Sequence, residues 1–167
     1  TNEVTTHVLK FTSQAWLTGA EVNQTNWWHW LVIHQPKGVT SDTALLFITG
    51  GNNRDQNPPK PDANIARIAR AAGTVAVELR QVPNQPLIFN QDGKGRTEDD
   101  LIAYGWDKFL RGGRAEWLAR LPMTKSAVRA MDTVTDHLGK PGRALKVDKF
   151  VVAGGSKRGW TTWTTAI

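Results

Sequence analysis

The chain has no cysteine. That excludes disulfides, thiolate metal sites and a thiol nucleophile, and it decides nothing between oxidising and reducing compartments. No run reaches the roughly 18–20 apolar residues that a membrane-spanning helix needs, so a globular protein with no membrane span is expected. Long runs of one charge are missing too: the net charge is +6, but it is spread along the sequence with no block of five basic residues. No nucleic-acid-binding motif accompanies it, and nucleic acid is not an expected partner. At 22% charged and 40% hydrophobic residues over 167 positions, a disordered chain is excluded and a core of one domain's size is expected. The first residue is Thr1 rather than Met, as expected of a processed, cloned or trimmed start.

One aromatic is abundant. Eight Trp stand against one Tyr, and such side chains suit cores, pocket walls and interfaces because a large apolar area comes with one N–H to satisfy. Three of them, Trp27, Trp28 and Trp30, sit in the run from Trp27 to His34, which with His7–Thr12 and Ala15–Leu17 reads as an antiparallel strand pair. Ala44–Thr49 is apolar almost throughout, as a strand buried on both faces must be.

From there strands and helices alternate. Asp62 is placed to cap a helix with Ile65, Ile68 and Ala69 on its inner face, ending at Gly73. Thr74–Leu79 is a second buried strand, followed by a polar loop over residues 80–96. Thr97 is placed to cap a helix running to about Arg111, with Glu98, Asp99 and Asp100 near its positive end. Another helix spans about Pro122 to His137, and Lys149–Ala153 is a last buried strand. Strand–helix–strand order of this kind predicts an α/β fold with a mostly parallel sheet and an antiparallel N-terminal strand pair.

The chemistry concentrates after that last strand, in Gly154-Gly155-Ser156-Lys157-Arg158-Gly159. A Ser on a tight strand-to-helix turn lifts its hydroxyl above the sheet edge, and the amide of the next residue then faces an oxyanion at a helix N-terminus. The usual spacing is Gly-x-Ser-x-Gly; here Arg158 holds the second glycine's place and Gly159 follows it. A phosphate-binding loop is the rival reading, but Trp160 stands where its Lys is required. Neither a cofactor nor a metal site is expected. An earlier loop, Gly50-Gly51-Asn52, follows a buried strand and suits the second oxyanion donor. Trp160 and Trp106 are candidate pocket walls. The four His, His7, His29, His34 and His137, all precede Ser156 and read as structural.

At these residues the chain resembles the PhoPQ-activated pathogenicity-related protein family. The resemblance rests on Trp27-Trp28-His29-Trp30, on Phe47 to Asn52, on Tyr104 to Leu110 and on Gly154 to Trp163. It implies an α/β-hydrolase-like, exported (secreted or periplasmic) protein, Ser156 in the nucleophile's place, and a link to virulence and resistance to antimicrobial peptides. The spacing Ser-x-x-Gly is also similar to that of glucuronoyl esterases, which implies an oxyanion role for a basic residue after the Ser, here Lys157 or Arg158. Hydrolase order puts an acid and a His after the Ser, and Lys157 to Ile167 contains neither. Residues 1–167 are therefore expected to form the N-terminal portion of an α/β-hydrolase domain, inactive alone and completed by its own C-terminal portion or a second chain. The expected activity is that of a serine hydrolase acting on an ester or amide of a small molecule, peptide or glycan. The alternative is a non-catalytic secreted binding or signalling protein on the same fold.

Overall fold

The computed structural model describes residues 3–167. Its main sheet has five strands: β1 (Val4–Ala15), β2 (Asn26–Pro36), β3 (Thr43–Ile48), β4 (Val75–Leu79) and a last strand, Lys149–Gly154. Between β4 and that last strand a small hairpin forms from β5 (Leu87–Ile88) and β6 (Gly95–Arg96), so the last strand is β7. The sheet order is β1-β2-β4-β3-β7. Strands β4, β3 and β7 run parallel, while β1, β2 and β4 pair antiparallel. The expected α/β class and N-terminal antiparallel pair are what the chain adopts. Among the described residues four α-helices flank the sheet: α1 (Ala63–Ala72), α2 (Glu98–Leu110), α3 (Arg120–Gly139) and α4 (Lys157–Ala166). None of them is long and apolar enough to cross a membrane.

The two faces of the sheet follow from alternation along β3. Ala44, Leu46 and Ile48 join Leu31, Val77 and Met123 in the main core under α2 and α3. Leu45 and Phe47 turn the other way, into a smaller cluster with Ile65 and Ala69 of α1. Asp62 caps α1 by accepting from the Asn64 N–H at 2.7 Å, and Gly73 closes it in the left-handed region at φ 63°. Ile68, expected on the inner face, is instead 43% exposed, because α1 packs along the narrower line through Ile65 and Ala69. Helix α3 begins at Arg120, one turn's half earlier than the sequence suggested, and Val128 lies outside its buried stripe.

β1 is one continuous strand, as the single extended run through His7–Thr12 and Ala15–Leu17 suggested, although it ends at Ala15; an irregularity falls between Thr12 and Gln14. The extra residue there is Ser13, and a bulge re-aims the side chain it carries. Its hydroxyl turns inward to His29 Nε2 at 2.9 Å and to Ser126 of α3 at 3.2 Å. His29 Nδ1 faces the Arg80 carbonyl at 3.0 Å. Burial, partly offset by backbone contacts at Arg80 and Gln81, pushes the His29 pKa down from 6.5 to about 4. His29 is thus a neutral core group, as the sequence reading had it.

Candidate active site

β3 and β7 end side by side, with Ile48 opposite Gly154. The loops that leave them, beginning at Thr49 and Gly155, therefore emerge about one strand spacing, ~5 Å, apart. That is the edge of a parallel sheet at which ligands bind.

After Gly154 the chain reverses into α4 within two residues. Ser156 sits at the turn with φ 54° and ψ −123°, a conformation that costs an L-residue about 1–3 kcal/mol and is held only where the surroundings dictate it. Ser156 is exposed. The Arg158 N–H donates to the Gly155 carbonyl at 3.0 Å and the Trp160 N–H to the Ser156 carbonyl at 3.2 Å, closing the first turn of α4. Lys157 is the first residue of that helix, directly after Ser156, at a position whose N–H has no partner within the helix.

The glycine pattern has a steric cause. A Cβ on Gly154 would lie 2.7 Å from the Arg158 carbonyl oxygen, and one on Gly159 would lie 3.1 Å from the Gly154 carbonyl oxygen. The close approach thus falls at residue 159, and position 158 is left able to carry a side chain. Arg158 uses that freedom. Its Nε donates to the Val82 carbonyl at 2.7 Å, and its two Nη atoms reach the Glu98 carboxylate at 2.9 and 2.5 Å. The guanidinium lies so close to Gly50 that any side chain there would collide with it.

Glu98 holds the other side of this junction. Its carboxylate also accepts from Gln85 Nε2 at 2.7 Å, and its backbone N–H donates to Gln85 Oε1 at 2.7 Å. Thr97, expected to cap α2, occupies the capping position but makes no side-chain bond; the Gln85 amide satisfies the helix end instead. Burial pushes the Glu98 carboxyl up, but its bonds to Arg158 and Gln85 prevail and hold it at about 2.

The Lys157 ammonium turns to the same acidic helix end, 3.1 Å from Asp99 and 3.4 Å from Glu98. Its carbonyl accepts from Arg120 Nη1 at 2.9 Å. Arg120 in turn stacks over the exposed Trp160 ring, 4.3 Å from its centroid. Burial lowers the Arg120 pKa.

The second loop is equally constrained. Gly51, at φ 150°, leaves no room for a side chain because Gln81 Cγ would sit 2.9 Å away. The Gln81 N–H donates to the Gly50 carbonyl at 2.9 Å, and its side-chain amide to the Asn52 carbonyl at 2.8 Å. Ser156, Lys157, Gly50, Gly51 and Asn52 are thereby gathered at one sheet edge. Trp160 adjoins them on the first turn of α4. Trp106 does not: it lies two turns along α2, about 12 Å from the helix start, and packs edge-on against Phe109. Reading the sequence alone missed Glu98, Gln85 and Arg120. Glu98 reads as one of three acids in a first turn, and nothing local marks the other two.

Among the described residues no His approaches Ser156. His29 and His34 are buried in β2, and His7 of β1 packs edge-on against His137 at the far end of α3, with ring centroids 5.0 Å apart. No group of three or more metal-ligating side chains forms among the described residues.

A mostly parallel sheet with a serine at φ 54° on the strand-to-helix turn defines an α/β-hydrolase-type fold. A solved glucuronoyl esterase from Solibacter usitatus shares it, with a TM-score of 0.52 at 14% identity over 98% of this chain and 44% of that one. Esterase Est22 also matches, with a TM-score of 0.47 and 12% identity over 98% of this chain and 38% of its own. The chain belongs to the PhoPQ-activated pathogenicity-related protein family, whose pattern matches residues 1–167. A relative named autocrine proliferation repressor protein A, from Dictyostelium discoideum, is 45% identical over 98% of this chain. The chain spans 33% of that relative's length.

Proposed function

We propose that this chain supplies the nucleophile and oxyanion side of a serine-hydrolase site acting on carboxylic esters or amides. Ser156 attacks the carbonyl carbon, and its strained, exposed position at the sheet edge is the observation that carries the reading. The developing oxyanion is met by the Lys157 N–H at the start of α4 and by backbone of the Gly50–Asn52 loop. The Lys157 ammonium adds positive potential from a short distance while it stays anchored on Asp99 and Glu98. Arg158, bonded to Val82 and Glu98 and packed on Gly50, fixes the spacing between the two donor loops. Trp160 forms an apolar margin beside the serine.

The proton from Ser156 needs a base, and the four His of this chain lie elsewhere. The base and its acid come from outside residues 1–167, from a longer native chain or a second one, and this stretch is inert alone. Removing the base of such a triad costs about 10⁶-fold in turnover. Export to the periplasm or exterior and a link to virulence are part of the proposal; the family's name supports the second, and the autocrine relative's name supports the first.

A fluorophosphonate probe tests this on the protein at its native length, with Ser156→Ala as control. The expected result is a single adduct on Ser156 that the variant lacks. A folded native-length protein that forms no adduct would overturn the assignment.

A second reading has its own support. The relative from Dictyostelium is named for repression of proliferation as an autocrine factor, which suits a secreted signalling protein using the fold without the chemistry. A Ser156→Ala protein that keeps full signalling activity, with no probe adduct on the parent, would favour it.

A further inference from the structure

The loop that carries Gly50, Gly51 and Asn52 also lines a cleft. The cleft holds about 550 Å³, a size suited to a small organic ligand. Ser156 does not line it. Three cations, Arg54, Lys60 and Arg80, line this cleft against one carboxylate, Asp55.

Two of these cations are uncommitted. Among the described residues neither the Arg54 guanidinium nor the Lys60 ammonium has a hydrogen-bond or ion-pair partner, and both residues are exposed. The third is fixed in place. Arg80 Nη2 reaches Glu78 at 2.6 Å and the Lys60 carbonyl at 3.0 Å, and Nε reaches Glu78 at 3.0 Å. Its Nη1 stays free of protein partners. Glu78 itself is 3% exposed, so Arg80 shields its charge from the cleft.

The walls are preorganised as well. The Trp30 indole N–H donates to the Asp55 carbonyl at 3.1 Å, and buried Gln81 ties the Asn52 carbonyl to the cleft's inner side. A fixed guanidinium, two unpaired cations and an indole wall suit an anionic head on a compact apolar body.

We infer that this cleft binds a small organic anion, a carboxylate or a phosphate monoester, with Arg54, Lys60 and Arg80 on the anionic group and Trp30 beside the organic body. The inference is independent of whether Ser156 is a nucleophile. A bound ligand touches Gly50, Gly51 and Asn52, which line the cleft, so occupancy steadies the loop on which the proposed oxyanion site depends.

Isothermal titration of the native-length protein with phenyl phosphate, benzoate and neutral benzyl alcohol, at fixed ionic strength, tests it. One equivalent of phenyl phosphate or benzoate is expected to bind, and benzyl alcohol at least about tenfold more weakly. Binding of phenyl phosphate alone identifies a phosphate site, and binding of both a general anion site. Arg54→Ala/Lys60→Ala should weaken the anion about 10- to 100-fold. Arg129→Ala/Lys146→Ala, which removes the same charge elsewhere, should leave it unchanged. Both double variants alter exposed side chains, and a thermal melt verifies that they fold. Equal binding of benzyl alcohol, equal losses in the two double variants, or no anion binding by the folded parent would each overturn the inference.

Discussion

The Arg158 guanidinium and the Glu98 carboxylate meet through two parallel contacts, 2.9 and 2.5 Å long, across sixty residues of sequence. The pair joins the start of α4 to the start of α2, and Arg158 also reaches the Val82 carbonyl beside Gly50. A two-pronged pair of this kind fixes orientation as well as distance. Arg158→Lys keeps the charge but not the fork, so it should loosen the loop that carries Gly50 against the serine turn. The expected outcome for the native-length protein is a fluorophosphonate labelling rate reduced about tenfold or more, with a melting temperature lowered by only a few degrees. An unchanged rate would remove Arg158 from the positioning role.

The same pair sets an acid limit. Glu98 titrates at about 2 in the folded protein against an ordinary value of 4.5, so between those values the unfolded chain holds more protons. Its stabilisation is complete above pH 4.5 and is lost as the pH falls towards 2. With the side chain 37% exposed, solvent screening reduces the full conversion of about 3 kcal/mol to about 1–2 kcal/mol. Denaturant melts of Glu98→Gln should show a lower plateau at neutral pH and a shallower decline between pH 4.5 and 2.

His29 acts in a higher window. The unfolded residue protonates near 6.5 and the buried one only near 4, so charging it favours unfolding. Stability from this source is complete above pH 6.5 and declines by about 3 kcal/mol as the pH drops to 4. His29→Phe removes the titration but leaves the Arg80 carbonyl without its imidazole partner, at about 1–3 kcal/mol, while Ser13 keeps Ser126. A lower and flatter stability profile between pH 6.5 and 4 is the expected difference from the parent.

Three glycines of the serine turn separate by their surroundings. Gly154→Ala places a methyl 2.7 Å from the Arg158 carbonyl oxygen, and Gly159→Ala one 3.1 Å from the Gly154 carbonyl oxygen, while Gly155→Ala meets nothing within 4 Å. Backbone cannot yield as a side chain tip does. Gly154→Ala should therefore unfold or severely destabilise the protein, Gly159→Ala should cost about 1–2 kcal/mol, and Gly155→Ala should be near neutral. Circular dichroism melts of the three variants give the order directly.

What the sequence made legible was local. Asp62 and Gly73 mark the ends of α1 because a cap acts within a turn, and Ala44–Thr49 marks a buried strand by its unbroken apolar run. The turn at Ser156 is legible for the same reason: strand, glycines and helix start are contiguous. Arg158 with Glu98 was not, since a pair sixty residues apart leaves no periodic trace. Thr97 misled because a nearer residue was assumed to cap α2, whereas Gln85, arriving from the loop after β4, offers both an acceptor for the helix end and a donor for Glu98. Trp106 misled in the opposite sense: a large aromatic on the helix that starts at the site points elsewhere once the turns are counted.

The sheet's last strand carries the remaining prediction. β7 pairs with β3 and with no other strand among the described residues, and on the α1 face Val151 is 59% exposed beside the half-buried Phe47 and Ala153. Trp163 on α4 is 77% exposed. An uncovered strand edge with apolar side chains is a template for association. A polypeptide of residues 1–167 expressed alone should therefore self-associate at micromolar concentration, and Val151→Lys with Trp163→Gln should shift it towards monomer, read by sedimentation velocity. In the native-length protein the same pair of substitutions should instead lower the melting temperature, because the proposed remainder of the domain covers these positions and a buried lysine there would lack a partner. Monomeric behaviour of the isolated 167-residue chain, together with no thermal effect at native length, would show that β7 is a true edge and that the domain is already closed.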